Sequence, residues 1–305
     1  MIRELWARVE ATLGSPVRTR TMVGGGSINE ARALRLEDGR RAFLKFKLRA
    51  PEGMFADEAH GLRWLAEGVA AGQAAEGVGL VIPEVLAVDR SGEFLLLEDL
   101  SPDLGEDSSE VVLSQIEHDE QLGWGLAALH RSAPAGAGPG LERDNYLATL
   151  RQTNAAAGSW PEFYAARRLE PMFRVVVDAG LASEALRARF DAVLARLPEL
   201  CGPSEPLARL HGDLWAGNAM TDALGRPALV DPAVYVGHRE VDLAMMQLFG
   251  GFSPRVFDAY AEAWPLAPGA EARVNLYQLY PILVHVALLG ASYLGQLEAA
   301  LARLG

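Results

Sequence analysis

The sequence has little cysteine, little lysine and no long uninterrupted apolar run. Its single cysteine, Cys201, excludes an internal disulfide and a cysteine-rich zinc site. Its 28 basic residues are outnumbered by 40 acidic ones, so the formal charge is −12. That balance argues against a protein that holds nucleic acid or an anionic membrane through its overall field. Any phosphate that the protein binds therefore needs a local arrangement of donors and cations.

Two segments are apolar enough to be compared with a signal peptide or a membrane span. Residues 1–13 carry charged side chains at positions 3, 4, 8 and 10, and this pattern predicts an amphipathic helix instead of a signal peptide. Residues 276–294 contain Gln278, Pro281 and His285 and lack flanking basic clusters, so they predict a buried core helix. We therefore expect a cytoplasmic protein.

The chain changes from a strand-like to a helical pattern about a third of the way along. Half of its 305 residues are hydrophobic, and this length predicts two structural units at roughly 100 to 200 residues each. Strands are expected at 19–23, 31–36, 41–46, 85–88 and 94–97 with a helix at 54–65, and the clearest later helices at 116–131, 181–197, 255–264 and 273–304. The prediction is an α+β fold, with a small antiparallel β-rich N-lobe at 1–98 and a larger helical C-lobe at 99–305.

The two lysines lie close together although lysine is rare in this chain. Lys45 and Lys47 are the only lysines among 28 basic residues, and both occupy one short apolar segment. A genome that favours arginine codons explains the scarcity but not this position. Because alternate residues of a strand share a face, the pattern places both lysines on the same side of the sheet and leaves the choice between them open.

A glycine-rich turn precedes these lysines, between the first two predicted strands. It comprises Gly24, Gly25, Gly26, Ser27, Ile28 and Asn29. Backbone N–H groups in such a turn could face phosphates without side-chain obstruction, but the motif is neither G-x-x-x-x-G-K-S/T nor G-x-G-x-x-G. Alone it is more typical of a flexible hairpin. Lys45 on a strand facing the turn, with Glu58 on the following helix as its partner, favours phosphate binding.

A second group of polar residues follows in the predicted C-lobe. Asp213, Asn218 and Asp231 lie within 19 positions, separated by glycines and short apolar runs. Their oxygens suit a hard cation such as magnesium bound together with phosphate, and one carboxylate could act as a base in phosphoryl transfer. Two other interpretations remain: the three side chains cap turns, or His211 joins Asp213 and Asp231 in the metal site of a hydrolase.

Longer stretches resemble the fructosamine-3-kinase (ketosamine-3-kinase) family over nearly the whole chain. The pattern HGD-x-x-x-x-N at 211–218 is shared with aminoglycoside and choline kinases and indicates only this larger kinase-like group. HGDLW-x-GN, followed by DPA-x-Y-x-GHRE-x-DLAM at 231–245 and LFGGF at 248–252, is more specific and selects the family. Ser27 departs from the family, since many members have cysteine there.

The resemblance implies a protein-kinase-like fold of two lobes with ATP in the cleft between them. It implies that the 24–29 turn covers the phosphates, that Lys45 and not Lys47 contacts them with Glu58 as its partner, and that adenine lies against the backbone of Glu98, Asp99 and Leu100.

The same resemblance assigns roles in the C-lobe. Asp213 takes the position of the catalytic base, and Asn218 and Asp231 take the positions that bind Mg²⁺. Trp215 is a candidate wall of the sugar site, with a core position as the alternative. Asp242 is expected to brace the catalytic loop from below.

The implied activity is ATP-dependent phosphorylation of a sugar hydroxyl, the 3-hydroxyl, of ketosamines such as fructosamine or ribulosamine adducts. The expected partner is a small ketosamine or a glycated protein amine. One alternative is a kinase of the same fold that acts on an aminoglycoside or an amino alcohol. Another is a catalytically silent nucleotide-binding regulatory protein, against which the joint presence of Lys45, Asp213, Asn218 and Asp231 counts.

Overall fold

A computed structural model describes residues 2–24, 29–77, 79–101 and 113–305. Its strands are β1 (Val17–Met22), β2 (Glu30–Leu36), β3 (Arg41–Phe46), β4 (Val85–Val88), β5 (Phe94–Leu97), β6 (Asn145–Leu147), β7 (Leu150–Gln152), β8 (Ala208–Leu210), β9 (Ala219–Thr221), β10 (Pro227–Leu229) and β11 (Tyr235–Gly237). Its α-helices are α1 (Ile2–Leu13), α2 (Met54–Glu76), α3 (Gln115–Arg131), α4 (Trp160–Phe163), α5 (Glu170–Asp178), α6 (Glu184–Ala195), α7 (Leu197–Leu200), α8 (Glu240–Phe249), α9 (Pro254–Ala263), α10 (Ala270–Leu289) and α11 (Leu294–Arg303).

The N-terminal part is a five-stranded antiparallel sheet in the order β1-β2-β3-β5-β4. The β2–β3 hairpin turns at Gly39, whose φ of 89° is accessible to glycine at little cost. The amphipathic helix α1 covers one face, where Leu5 and Val9 pack with Leu34 and Leu44. Strands β3, β4 and β5 span the residues predicted for them, and a turn closed by the bond from Gly92 N to Asp89 O joins the last pair.

Helix α2 is longer than predicted and ends at Glu76 instead of residue 65. Its later turns contain Gly68 and Gly72, which weaken a helical pattern read from sequence alone. In the fold these glycines allow close packing: a Cβ at Gly68 would lie 2.5 Å from Ser132 Oγ, and one at Gly72 would lie 3.0 Å from Ala128 Cβ. Small residues here let α2 approach α3 and the C-terminal part closely.

The C-terminal part is mainly helical, with short two-stranded ribbons β6–β7, β8–β11 and β9–β10. Its largest core cluster gathers the apolar faces of α5, α6, α8, α10 and α11, and the rings of Phe173 and Phe190 stack at 3.8 Å. A π-helical turn, Tyr164–Leu169, joins α4 to α5. The antiparallel sheet followed by helices agrees with the predicted α+β class, while the boundary at residue 98 stays a prediction.

The predicted helix 273–304 is divided in two. Helix α10 ends at Gly290, whose φ of 73° breaks the α-helical ladder, and a 3-10 turn leads into α11. By length and composition, the stretch Ala270–Arg303 is apolar enough to cross a membrane, but half of its most apolar window is buried inside the protein. Together with Pro281 in its middle, this burial identifies α10 as a core helix.

Candidate active site

A cavity of about 360 Å³ lies between the sheet and the helical part. Apolar side chains, among them Val23, Phe43, Leu97 and Val230, form much of its wall. Its polar lining includes the candidate residues of the two lobes, Lys45, Glu58, Asp213, Asn218 and Asp231. A largely apolar cavity with such a charged cluster suits a ligand that combines a flat ring with phosphates.

Lys45 connects the two parts of the protein across this cavity. It lies on β3, is 5% exposed, and donates from Nζ to Glu58 Oε1 at 2.6 Å and to Asp231 Oδ1 at 2.7 Å. Burial by itself would lower the pKa of this ammonium, but Asp231 and Glu58 raise the pKa above its ordinary value. Lys47 follows the end of β3, is half-buried, and is not among the residues that line the cavity.

Asp213 and Asn218 are brought together by a 3-10 turn, Ala216–Asn218, directly after the HGD segment. Asn218 Nδ2 donates to the backbone oxygen of Asp213 at 2.8 Å and to its Oδ2 at 3.2 Å. Its Oδ1 takes part in neither bond and is the oxygen that could bind a cation. Asp231 faces the same space with a φ of 58°, in the left-handed region that aspartate adopts more readily than most residues other than glycine.

The carboxylate of Asp213 lies in an unusual electrostatic environment. Burial and the negative charge of Asp231 raise its pKa to about 7, against the opposing hydrogen bond from Asn218. Three carboxylates, those of Glu58, Asp213 and Asp231, face one ammonium in this part of the cavity. The arrangement has excess negative charge and offers only oxygen donors besides the lysine, so it fits a hard divalent cation.

Asp242, on α8, supports the backbone of the HGD segment, residues 211–213. It accepts hydrogen bonds from His211 N at 2.7 Å and Gly212 N at 2.9 Å, and from His130 Nε2 at 3.2 Å. Burial would raise the pKa of this fully buried carboxyl, but these donors hold the pKa below its ordinary value. Gly212 is required here, because its φ is 84° and a Cβ would lie 2.0 Å from Ala233 O.

We expect Asp242→Asn to lower the free energy of unfolding by about 2 kcal/mol, because hydrogen bonds to a charged acceptor contribute roughly 1.5 to 3 kcal/mol each. The amide would also turn an N–H₂ group toward backbone N–H donors. Urea unfolding of both proteins measures the difference, with Asp258→Asn on the exposed face of α9 as the control. Equal loss in the two variants would contradict the proposed brace.

His211 is not available as the metal ligand that the metal-hydrolase alternative requires. Its Nε2 lies 2.9 Å from the carbonyl oxygen of Val230, so this nitrogen carries the proton, and its Nδ1 accepts from the Asp213 backbone N–H at 3.3 Å. Burial lowers the pKa of the ring and keeps it neutral. Both ring nitrogens are therefore used by the backbone of the loop itself, and His211 has a structural role.

A second cluster of possible ligands lies away from the cavity. One ligand atom each of Glu205, His238 and Glu240 falls within 4.8 Å of the others. Arg239 binds Glu205 through two bonds of 2.9 Å, and Arg273 binds Glu240 at 2.5 and 2.8 Å. Because each carboxylate already has its own guanidinium, this cluster is a buried charge network that anchors α8.

Some of the remaining residues that were predicted to bind the nucleotide lie in the part of the chain that the structure describes. Gly24, Asn29, Glu98, Asp99 and Leu100 line the cavity. Arg41 donates to Asp99 Oδ2 from Nη2 at 2.7 Å and from Nε at 3.0 Å. Because the Asp99 side chain is engaged in this way, the backbone is the part of the segment that can face a ligand. Gly25, Gly26, Ser27 and Ile28 lie outside the described residues. Trp215 lines the cavity half-buried, with its ring against the backbone of Gly217.

The β6–β7 hairpin contributes side chains to the lining of the cavity. Asn145 and Tyr146 line the cavity, and Tyr146 Oη donates to the backbone oxygen of Glu52 at 3.1 Å, joining the hairpin to the start of α2. Asn145 Oδ1 accepts from Gln152 and Asn154 at 2.9 and 3.1 Å. The Asn-Tyr pair is present in the sequence, but no spacing rule connects it with the distant catalytic segment.

The same arrangement of lobes is found in a known class of enzymes. A solved choline kinase from Streptococcus pneumoniae superposes with a TM-score of 0.64 at 13% identity, covering 99% of this chain and 98% of that one. At this identity the likeness concerns the fold alone, and it confirms the predicted kinase-like two-lobed architecture. The chain therefore has the fold of the kinase-like phosphotransferases, and Lys45, Asp213 and Asp231 line the cavity between its two parts.

More similar proteins give a narrower assignment. The family model described as "Fructosamine kinase" matches residues 1–304. An Enterococcus faecium protein named "Probable ketoamine kinase" is 34% identical over 283 residues, 92% of each chain, and a chloroplastic protein-ribulosamine 3-kinase of Oryza sativa subsp. indica is 30% identical over 89% of this chain and 74% of its own. A "putative fructosamine-3-kinase" from Thermobifida fusca superposes with a TM-score of 0.83 at 34% identity, covering 98% of both chains. The chain belongs to the fructosamine kinase family and is an ATP-dependent kinase.

Proposed function

We propose that this protein transfers the γ-phosphoryl group of ATP to a sugar hydroxyl of a ketosamine, by likeness to its relatives the 3-hydroxyl of a fructosamine or ribulosamine adduct. The observation that carries the proposal is the bridge from Lys45 to Glu58 and Asp231, which lies beside Asp213 in a chain of this family. The division into a lobe at 1–98 and a lobe at 99–305 and a cytoplasmic location belong to the same proposal.

The nucleotide site is assigned to the apolar part of the cavity. Adenine would lie between Phe43 and Val230, against the backbone of Glu98 to Leu100. The triphosphate would extend toward Lys45 beneath the 24–29 turn. The compact ammonium of Lys45 is a point charge that can move from Asp231 to phosphate oxygens while Glu58 keeps its position.

Magnesium would be held by the carboxylate of Asp231 and Oδ1 of Asn218, both of which are hard oxygen donors. Bound there, the ion would neutralise charge on the phosphates and fix their orientation. Asp213 would accept the proton of the attacking sugar hydroxyl and orient its oxygen toward the phosphorus. Asn218 would support both functions, since its Nδ2 donates to the Asp213 carboxylate and its Oδ1 would remain available to the ion.

The acceptor would approach Asp213 from the side away from the nucleotide, with Trp215 as one wall. A positively charged ketosamine amine suits this region because the cavity contains more carboxylates than cations. Ketosamines on small molecules and on protein amines both carry that amine, and both are included as acceptors. Nucleic acid and membranes are not.

Mass-spectrometric detection of phosphate addition tests the function directly. Purified protein, ATP and magnesium should add one phosphate to a defined fructosamine or ribulosamine, and magnesium chelation should stop the reaction. Turnover on an aminoglycoside or an amino alcohol in place of every ketosamine would favour the other acceptor class. Nucleotide binding without turnover on any acceptor would favour a silent regulatory protein.

A further inference from the structure

Trp215 directly precedes the 3-10 turn Ala216–Asn218. Its backbone N–H donates to Asp213 O at 3.2 Å, and its carbonyl oxygen accepts from Asn218 N at 2.9 Å. The backbone of Trp215 is therefore held between the candidate base and a candidate magnesium ligand, and all three residues line the large cavity. Because the backbone is held on both sides, the position of the indole depends on the surface against which the ring packs.

That surface is the backbone of Gly217. A Cβ built on this glycine would lie within 2.7 Å of three carbon atoms in the six-membered ring of the Trp215 indole. Non-bonded carbon atoms pack at about 3.5 to 4.0 Å, so a side chain at position 217 is incompatible with the ring where it stands. The ring would have to move by roughly 1 Å or turn to another rotamer.

The other properties of position 217 do not call for glycine. Gly217 is exposed, so burial does not limit the size of its side chain. It lies in the middle of the 3-10 turn and is not among the residues with a positive φ. In a helical turn glycine is disfavoured relative to alanine, because it loses more conformational freedom on folding. The ring of Trp215 is therefore the feature of the described structure that explains glycine at this position.

A second glycine approaches the same turn but has two reasons to be glycine. A Cβ at Gly251, in the loop between α8 and α9, would lie 2.5 Å from Ala216 Cβ. Gly251 also has a φ of 94°, in the region that L side chains rarely adopt. A substitution there would combine backbone strain with a steric clash, whereas a substitution at Gly217 acts on the indole of Trp215.

We propose that Gly217 is a positioning residue for the acceptor: by leaving room for the indole of Trp215 on the 3-10 turn, it fixes the wall against which the acceptor sugar lies beside Asp213. The inference rests on the proposed ketosamine kinase function, in which Trp215 forms one wall of the acceptor site. It adds a residue that acts through the ring. An indole presents a broad apolar face, and a displacement of roughly 1 Å at such a wall misplaces the reacting hydroxyl.

Gly217→Ala tests the inference with the methylamine adduct of fructose or of ribulose as the acceptor. We expect kcat/KM for the acceptor to fall by about 10-fold or more, since a misplacement of roughly 1 Å can cost as much as 10²-fold. The KM for ATP should stay within about twofold of the wild type, because the indole belongs to the acceptor side. An unchanged kcat/KM for the acceptor, or an equal rise in the KM for ATP, would overturn the inference.

Gly295→Ala is the matched control. Gly295 is exposed on α11, and a Cβ built there meets no described heavy atom within 4 Å. The same exchange should therefore leave kcat/KM for the acceptor and the KM for ATP at their wild-type values. A loss equal to that of Gly217→Ala would contradict a specific role of the Trp215 ring.

A double variant separates the ring from the turn that carries Asn218. Trp215→Ala should itself lower kcat/KM for the acceptor by roughly 10-fold, because it removes the wall. In that background Gly217→Ala displaces no ring and should change kcat/KM by less than about twofold, so the two substitutions are not additive. If Gly217→Ala costs the same factor with and without Trp215, the methyl group acts on the turn and the inference is overturned.

The contact between Gly217 and the ring can also be measured without a substrate. One Cα proton of Gly217 occupies the Cβ position and therefore points at the indole. In protein labelled with ¹³C at the glycine Cα atoms, the NMR signal of Gly217, identified by its loss in Gly217→Ala, should shift in Trp215→Ala while the Gly295 signal stays. An unshifted Gly217 signal would overturn the inference.

The wild-type protein separates this inference from the function on which it rests. If it phosphorylates a ketosamine but Gly217→Ala leaves kcat/KM for that acceptor unchanged, the role of Gly217 alone is wrong. If it phosphorylates neither adduct, the proposed function fails, and the role of Gly217 in acceptor binding fails with it even where the NMR signal shows the contact with the ring.

Discussion

Asp213→Asn is expected to lower kcat by about 10²- to 10⁴-fold, the usual contribution of a positioned general base. The substitution keeps the size of the side chain and its place beside Asn218, but an amide cannot accept the proton of the sugar hydroxyl. Nucleotide affinity should change little, because Lys45 and Asp231 remain in place. Steady-state phosphorylation of a ketosamine measures the first quantity, and titration with a nucleotide measures the second.

An aspartate away from the cavity provides the control for this test. Asp191 is exposed on α6, and Asp191→Asn should leave both kcat and nucleotide affinity at their wild-type values. A large drop in nucleotide affinity for Asp213→Asn would indicate a role in binding magnesium or phosphate. Near-normal kcat would show that another group takes the proton.

The parts of the fold that were predicted correctly are determined by residues that are close together in the sequence. Strands β3, β4 and β5 match their predicted bounds because each is a short apolar run that ends at a clear turn. The length of α2 and the break at Gly290 were predicted incorrectly. In the first case glycines that look like helix breakers allow close packing, and in the second Gly290, with a φ of 73°, interrupts an otherwise helical pattern.

The candidate site, like the fold, has parts that could be predicted from the sequence and parts that could not. Asp213 and Asn218 are only five positions apart, so a single turn brings them together. Their proximity could therefore be predicted from their spacing in the sequence. The Lys45 to Asp231 contact joins residues 186 positions apart. The resemblance to a family placed both residues at the nucleotide site but did not predict this contact. The bond between His130 and Asp242 had no signal in the sequence, since a lone histidine on a helix is usually a core or surface residue.

Arg168 is the clearest feature that sequence could not reveal. It is fully buried in the π-helical turn, and its guanidinium stacks 3.9 Å from the ring centroid of Tyr235. It donates to Thr153 O at 2.7 Å and to Asn154 Oδ1 at 2.6 Å. An arginine on a helix predicts a solvated face, and the burial of Arg168 is explained only by the segment after β7 that accepts its hydrogen bonds.

The choice between the two lysines gives the second large effect. Lys45→Arg should lower kcat/KM by roughly 10²-fold, as loss of one preorganised electrostatic contact in an active site commonly does. The planar guanidinium is longer and bulkier than an ammonium, and it has to fit between Glu58 and Asp231 in a buried position where Nζ makes bonds of 2.6 and 2.7 Å. Activity measured over a range of ATP concentrations separates weaker nucleotide binding from slower transfer.

Lys47→Arg is the matched control, since it makes the same exchange two residues later, beyond the end of β3 and outside the cavity lining. It should keep kcat/KM within about twofold of the wild type, because substitutions away from buried features usually have small effects. A silent Lys45→Arg beside a crippled Lys47→Arg would assign the phosphates to the other lysine. Comparable losses in both variants would instead indicate that this segment does not tolerate the exchange of lysine for arginine at either position, and the argument from a point charge between Glu58 and Asp231 would then fail.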